Sequence, residues 1–348
     1  MSTAGPGTAA LARTADWIAG VQRADGAIPW FPGGPFDPWD HVEAAMGLDT
    51  QGRHAEAAAA YDWLRRAQAA DGSWFREYRR GIVTDDTREA NFTAYLAVGL
   101  WYHYRRTGNE TFLRGMWPAL CRALEFVLGL QAAGGEVRWA RARDGRAADE
   151  ALLTGCASIY HSLSCAQRIA GALGEEQPNW DLAATTLGHA LLRHPERFAP
   201  RDRFAMDWYY PILGGALRGP EASARIDDGW DAFVVPGLGV RCVSDRPWVT
   251  GAETCEAVLA LCAIGARERA AELFDAIGHL RAEDGSYWTG YVYPDDARWP
   301  AERTTWTAGV VLLAAAMLDG DPVVEELFGG AGAHDPGCVG PFCALQHP

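Results

Sequence analysis

A short phrase recurs along this chain and constrains its fold more than any other feature. It reads GVQRADGAIPWF at 20–31, RAQAADGSWF at 66–75, GLQAAGGEVRWA at 129–140 and HLRAEDGSYWTGY at 279–291. Each copy ends a helical pattern, turns through Asp-Gly or Gly-Gly, and presents an aromatic residue. A glycine just past a helix end takes positive φ and stops the helix. The aromatic that follows is placed to fold back and cover the hairpin. Repeats spaced by tens of residues imply an array of equivalent units.

Hydrophobic periodicity fills in those units. Helices are expected over 8–22, 38–48, 54–68, 89–107, 113–131, 150–172, 178–194, 205–218, 249–264, 267–281 and 301–318, with a weaker one over 221–233. Paired in order they make six hairpins. The first member of most pairs is amphipathic, as in Ala55–Gln68 and Arg267–Leu280. The second is apolar or aromatic throughout, as in Phe92–Tyr104, Leu153–Ala166, Thr250–Ile264 and Thr304–Met317. A helix that is apolar all round is buried. The expected fold is therefore all-α: one (α/α)6 toroid over 1–328, outer and inner helices alternating. Small irregular or β-hairpin segments at 233–243 and 292–299 would decorate one rim. A tail over 329–348, rich in Gly, Pro and Cys, would follow the ring.

Bulk composition narrows the partners. The formal net charge is −14, and the basic side chains are all arginine. An acidic chain with no basic run is a poor ligand for nucleic acid or an anionic membrane. No apolar run reaches the ~20 residues a membrane helix needs, so no membrane insertion is expected. The first ten residues lack a basic n-region and an apolar core. Most of the eight cysteines sit inside apolar helical patterns and read as small core residues. Together these point to a reduced, cytoplasmic protein.

The acids fall in a pattern. Asp37, Asp40 and Glu43 open the first inner helix; Asp85, Asp86 and Glu89 open the second; Asp149 and Glu150 open the third. Asp207 opens the fourth, Glu253 and Glu256 lie in the first turns of the fifth, and Glu302 opens the sixth. In a hairpin ring all inner helices start at the same end, so these acids would converge on one funnel. First-turn acids are also favoured as caps and by the helix dipole. That reading suits Asp37, Asp86 and Asp149. It suits Asp40, Glu43, Glu89, Asp207, Glu253 and Glu302 less well, because aromatics accompany them on helices that should be buried, where an unpaired carboxylate is costly.

Fifteen tryptophans supply the second half of the pattern. Trp39, Trp208, Tyr209, Tyr210, Trp248, Trp288, Tyr291 and Trp306 all neighbour the expected funnel. Aromatic faces stack on sugar rings and stabilise carbocations. An acidic, aromatic funnel suits glycoside chemistry, in which one carboxylic acid protonates the leaving oxygen and a second carboxylate activates water or attacks the anomeric carbon. Glu253 and Glu302 are the expected pair, with Asp40, Glu89 and Asp207 holding sugar hydroxyls or sharing the acid/base work. His41, Glu43 and Asn91, with the aromatics above, are expected to bind substrate. His103 and His161, inside inner helices, read as core histidines. No metal or cofactor is expected: there is no P-loop, no G-x-S-x-G and no dinucleotide fingerprint. The loose His334, Cys338, Cys343, His347 set is the one metal candidate.

The phrases from Gln22 to Trp30 and from Gln68 to Trp74 resemble the QW-type repeats of squalene cyclases and prenyltransferase β subunits. The segment YRRTGNETFLRGMWPALCRALEFVLGLQ at 104–131 looks like the helix–linker–helix of six-hairpin glycosidases. Both resemblances imply the α/α toroid. The first implies a terpenoid-cyclase-like protein sheltering an isoprenoid over one central acid, Asp85 or Asp86. The second implies a glycoside hydrolase acting on a small-molecule glycoside or oligosaccharide. A non-catalytic carbohydrate- or protein-binding toroid is the third reading. The cyclase motif D-x-D-D is incomplete here, since Thr84 precedes Asp85-Asp86-Thr87.

Overall fold

The computed structural model describes residues 6–329. Six inner helices form its centre: α2 (Pro38–Thr50), α5 (Leu96–Thr107), α7 (Leu153–Leu173), α9 (Ala205–Leu213), α11 (Gly251–Ala263) and α13 (Thr305–Leu318). Each packs on the next, and α13 returns to α2, so the inner ring is closed. The outer layer is α1 (Thr8–Val21), α3 (His54–Ala67), α6 (Glu110–Leu128), α8 (Pro178–Arg193), α10 (Gly219–Phe233) and α12 (Arg267–Ala276). All twelve expected helices are present, including the weakest, and the fold is an (α/α)6 toroid. No single helix among the described residues is long and apolar enough to cross a membrane.

The recurring phrase is the joint between neighbouring hairpins. Gln68 donates through Nε2 to the Gly72 carbonyl across its own turn and to the Ala119 carbonyl of α6, both at 2.8 Å. Gln22 does the same to Gly26 and Glu56, and Gln131 to Gly135 and Ala183. Gly72 has φ +88°, and a Cβ there would lie 2.1 Å from the Arg122 carbonyl oxygen. Only glycine allows that approach. The fourth copy replaces Gln with Arg281 and seats Gly285 against the backbone of Arg13 and Thr14, joining the last hairpin to the first. On the inner ring, Gly47 of α2 meets Gly309 of α13, where a Cβ would fall 2.5 Å from the opposing Cα.

Several details depart from the sequence expectation. The helix expected over 89–107 starts at Ala90 as a short α4 (Ala90–Ala94), with Tyr95 between it and α5. The third inner helix starts at Leu153 rather than 150. Asp86 and Asp149 are therefore not caps; Asp86 instead pairs with exposed Arg143. Asp37 is a cap, accepting from the Asp40 N–H at 2.8 Å. Extra strands build the rim: β1 (Pro35–Phe36), β2 (Glu77–Arg79) and β3 (Ile82–Asp85) form one antiparallel sheet, and β4 (Arg88–Glu89) pairs with β5 (Ala140–Arg141). The two segments expected as rim hairpins join a larger sheet of β6 (Val234–Val235), β7 (Gly239–Arg241), β8 (Trp248–Thr250), β9 (Gly290–Val292) and β10 (Ala297–Arg298). An unexpected helix, α14 (Pro322–Phe328), touches α5, α11 and α13 and plugs the end where the inner helices finish. His161 meets its Leu327 carbonyl at 3.0 Å, and His103 sits 2.9 Å from Asp49, so both are partnered core histidines. The His334, Cys338, Cys343, His347 set lies outside the described residues.

Candidate active site

The open end of the ring, where the inner helices begin, holds a cavity of about 470 Å³. Trp39, Arg76, Glu89, Asn91, Trp139 and Asp207 give it polar and aromatic walls, and Arg201 and Cys242 contribute from loops. Along one side runs a stripe of α7 and the residue before it: Leu152, Gly155, Cys156 and Ile159. Their spacing of three and four places them on one helical face.

Each polar group in the cavity has a distinct setting. Arg76 is 2.8 Å from Glu89, yet burial outweighs that attraction and raises the Glu89 carboxyl to about 7. Asp207 accepts from the Thr154 N–H at 3.2 Å and from its hydroxyl, and burial still leaves its pKa raised. Asn91 is 5% exposed, and neither Oδ1 nor Nδ2 has a partner. A buried amide left unpaired costs about 1–3 kcal/mol, so this side chain is set for something that arrives from outside. The Trp39 indole N–H, packed among Phe92, Tyr95 and Tyr210, is likewise unpaired.

Against this cavity lies a knot of carboxylates from α2 and α11. Burial, then the adjacent Asp37 and Glu43 carboxylates, hold Asp40 well above the ordinary carboxylate range. Glu43 is raised by burial and then by Glu256 and Asp37. Burial pushes Glu256 to about 8 and Asp37 to about 6. Like charges this close in low dielectric do not all ionise, so part of the knot is protonated at neutral pH. Tyr209 donates its hydroxyl to Glu256. Glu253 is different: it is half-buried, and its Oε2 has no partner. It faces the Cys242 thiol, which lines the cavity. The knot thus meets the cavity at Trp39, Cys242 and Glu89.

The sequence shortlist divides accordingly. Asp40, Glu43 and Glu253 come together in the knot; Trp39, Glu89, Asn91 and Asp207 line the cavity. Tyr209 and Tyr210 are buried behind them, and Tyr210 edges onto Trp39. Trp306, in the first turn of α13, keeps an unpaired buried indole N–H. Glu302 is raised by burial alone, with no carboxylate of the knot acting on it. His41 is fully buried; its Nδ1 accepts from Ile28 and its Nε2 donates to the Ala60 carbonyl, so the ring is committed to the backbone. Trp208 is packed on Phe233 and donates to the Arg225 carbonyl at 2.9 Å. Trp248 donates to Trp299, Trp288 lies under Arg303, and Tyr291 donates to Asp296, all at the five-stranded sheet. Glu256, Arg76, Trp139, Thr154, Arg201 and Cys242 are site residues that the shortlist lacks.

The isoprenoid expectation is corrected by the same geometry. Its two candidate acids stand on the rim, Asp85 beside Arg76 and Asp86 beside Arg143, while the central acids are several and lie elsewhere. A toroid with carboxylates gathered at the mouth of a tryptophan-walled cavity is a carbohydrate-active, glycoside hydrolase-like enzyme. Solved structures share the fold. A glycosidase variant in complex with glucose superposes with a TM-score of 0.72 at 15% identity, covering 90% of this chain and 99% of that one. A D-mannose isomerase superposes with a TM-score of 0.70 at 11% identity, covering 90% and 96%. No family model matches the chain. A curated relative does: the MMP endo-(1,4)-3-O-methyl-alpha-D-mannosidase of Mycolicibacterium hassiacum, 55% identical over 318 residues, spanning 91% of this chain and 88% of that one. The chain belongs to the family of that mannosidase.

Proposed function

We propose that this enzyme hydrolyses internal α-(1,4) linkages in a 3-O-methylated mannose glycan, with Asp40 as general acid and Glu253 as the partner carboxylate. The observation that carries the reading is the contrast between these two groups, which belong to the carboxylate knot behind the cavity wall at Trp39 and Cys242. Burial and then the crowding by Asp37 and Glu43 disfavour the ionised form of Asp40, which suits it to give a proton to the glycosidic oxygen. Glu253 keeps its buried Oε2 without a hydrogen-bond partner, behind the Cys242 thiol of the cavity wall, and is the group assigned to activate water or to meet the anomeric carbon. Glu256 is tied to Tyr209 and supplies the charge environment rather than the reaction. Trp39 offers a face to the sugar ring, and Glu89, Asn91 and Asp207 are placed to hold hydroxyls. The substrate class comes from the mannosidase relative. The aliphatic side of the cavity supports it, since methyl ethers need an apolar surface that free hydroxyls do not.

The test is incubation with 3-O-methylated α-(1,4)-mannose oligosaccharides, with products sized by mass spectrometry. Mid-chain fragments are expected from the wild type and none from Asp40→Asn or Glu253→Gln. Undiminished turnover in either variant overturns its assignment.

A further inference from the structure

Asn91 and Gly155 are neighbours across the cavity wall, and the pair has the form of a methyl-ether receptor. A Cβ built on Gly155 meets only the Asn91 and Leu152 Cβ atoms, both at 3.8 Å. That is ordinary contact, so neither a turn nor a tight approach requires glycine there, and its φ is not in the left-handed region. Gly155 is the third residue of α7, in its first turn, and no cap or positive φ calls for glycine there. What it provides is a notch on the α7 face. Val137, Cys156 and Ile159, each about 1% exposed, lie in the wall around that face. The Cys156 thiol adds no free polar atom, because it is bonded to the Val137 backbone in both directions. Beside this apolar notch stands the amide of Asn91 with both polar atoms unpaired.

We infer that the Asn91–Gly155 pair reads the 3-O-methyl group of the sugar, the Gly155 notch taking the methyl and the Asn91 amide taking the two adjacent oxygens. An ether oxygen only accepts, so Nδ2 donates to O3. The C2 hydroxyl beside it is free in a 3-O-methylated, 1,4-linked mannose, so Oδ1 accepts from it. A plain mannose presents a hydroxyl instead of a methyl to the notch and leaves apolar surface unfilled. Discrimination by one methyl in such a pocket amounts to about 10- to 200-fold. The inference rests on the proposed hydrolase reading and makes Gly155 a specificity-determining position.

The experiment compares kcat/KM on 3-O-methylated and unmethylated α-(1,4)-mannose oligosaccharides for wild type, Gly155→Ala and Gly155→Val. It also measures binding of methyl 3-O-methyl-α-D-mannopyranoside and methyl α-D-mannopyranoside by calorimetry. The methylated-over-unmethylated ratio is expected to fall about tenfold or more in Gly155→Val, with a smaller fall in Gly155→Ala. Gly155→Ala keeps the fold by geometry and separates specificity from misfolding. A ratio unchanged in both variants overturns the inference, as does a wild type that cleaves both glycans equally well, which would leave the hydrolase reading intact. A wild type that cleaves neither glycan but prefers the methylated monosaccharide, with that preference lost in Gly155→Val, would overturn the hydrolase reading and keep the receptor.

Discussion

The Tyr209 hydroxyl donates to the Glu256 carboxylate inside a region where both side chains are almost completely buried. This bond and the Asp40 N–H on Asp37 are neutral support for a knot of crowded acids, Asp37, Asp40, Glu43, Glu253 and Glu256. The knot's energetics follow from that crowding.

Stability should fall as the solution becomes alkaline. Glu256 has its folded pKa raised from 4.5 to about 8, Glu89 to about 7 and Asp37 to about 6. A carboxyl whose folded pKa is raised binds its proton more tightly when folded. Its contribution is complete below the unfolded pKa and is lost as pH rises through the folded value. The melting temperature is expected to decline between about pH 5 and pH 9, and Glu256→Gln is expected to flatten the decline while still accepting from Tyr209. Melting curves across that range check both; a flat wild-type profile contradicts the knot.

Asp40→Asn and Glu253→Gln should separate activity from stability. Loss of a positioned proton donor or base lowers kcat by about 10²–10⁴-fold. Removing a carboxylate from a like-charged cluster relieves repulsion, so the melting temperature of Asp40→Asn should match or exceed that of the wild type at pH 8. Steady-state kinetics with differential scanning fluorimetry reads the two effects together.

Asn91→Ala should be a binding variant with no stability penalty. The amide has no partner to lose, so the usual cost of about 1–3 kcal/mol for orphaning a buried group does not apply. KM should rise by about tenfold, in line with roughly 1.4 kcal/mol for one good hydrogen bond to substrate, while kcat moves less. A drop in melting temperature of several degrees would mean the amide has a structural partner.

Gln68→Ala and Gly72→Ala should test the joints. The first removes three hydrogen bonds, to the Gly72 and Ala119 carbonyls and from Arg122, and should cost about 1–3 kcal/mol in denaturant unfolding. The second forces a Cβ onto the Arg122 carbonyl at positive φ and should cost more, about 3 kcal/mol or above. A negligible effect of Gly72→Ala would show that the hairpins adjust independently.

Much of the ring was legible because its signals are local. Helix periodicity and the Gln-to-Gly turn carry their meaning within a dozen residues, and the convergence of Asp40, Glu43, Asp207 and Glu253 on one end follows from hairpin geometry. Glu256 sat in plain view three residues after Glu253. A helical period puts both acids on one face and does not say which of them meets a hydroxyl such as that of Tyr209. Arg76, Arg201 and Cys242 reach the cavity from loops and rim strands whose path no periodicity encodes. His41 and Trp208 misled for a related reason: a rim position in sequence says nothing of the backbone carbonyl that captures the side chain. The β1–β3 sheet is too short, at two to four residues per strand, to stand out from loop.

The contact of Gly47 with Gly309 has a further consequence. Asp40 belongs to α2 and Glu253 to α11, and the helix wedged between them around the axis is α13, among the last parts of the described chain to leave the ribosome. A nascent chain therefore carries both carboxylates long before anything sets their spacing. A chain that lacks the final hairpin is expected to be a broken circle, in which α2 and α11 have lost the helix that packs between them and fixes the distance from Asp40 to Glu253.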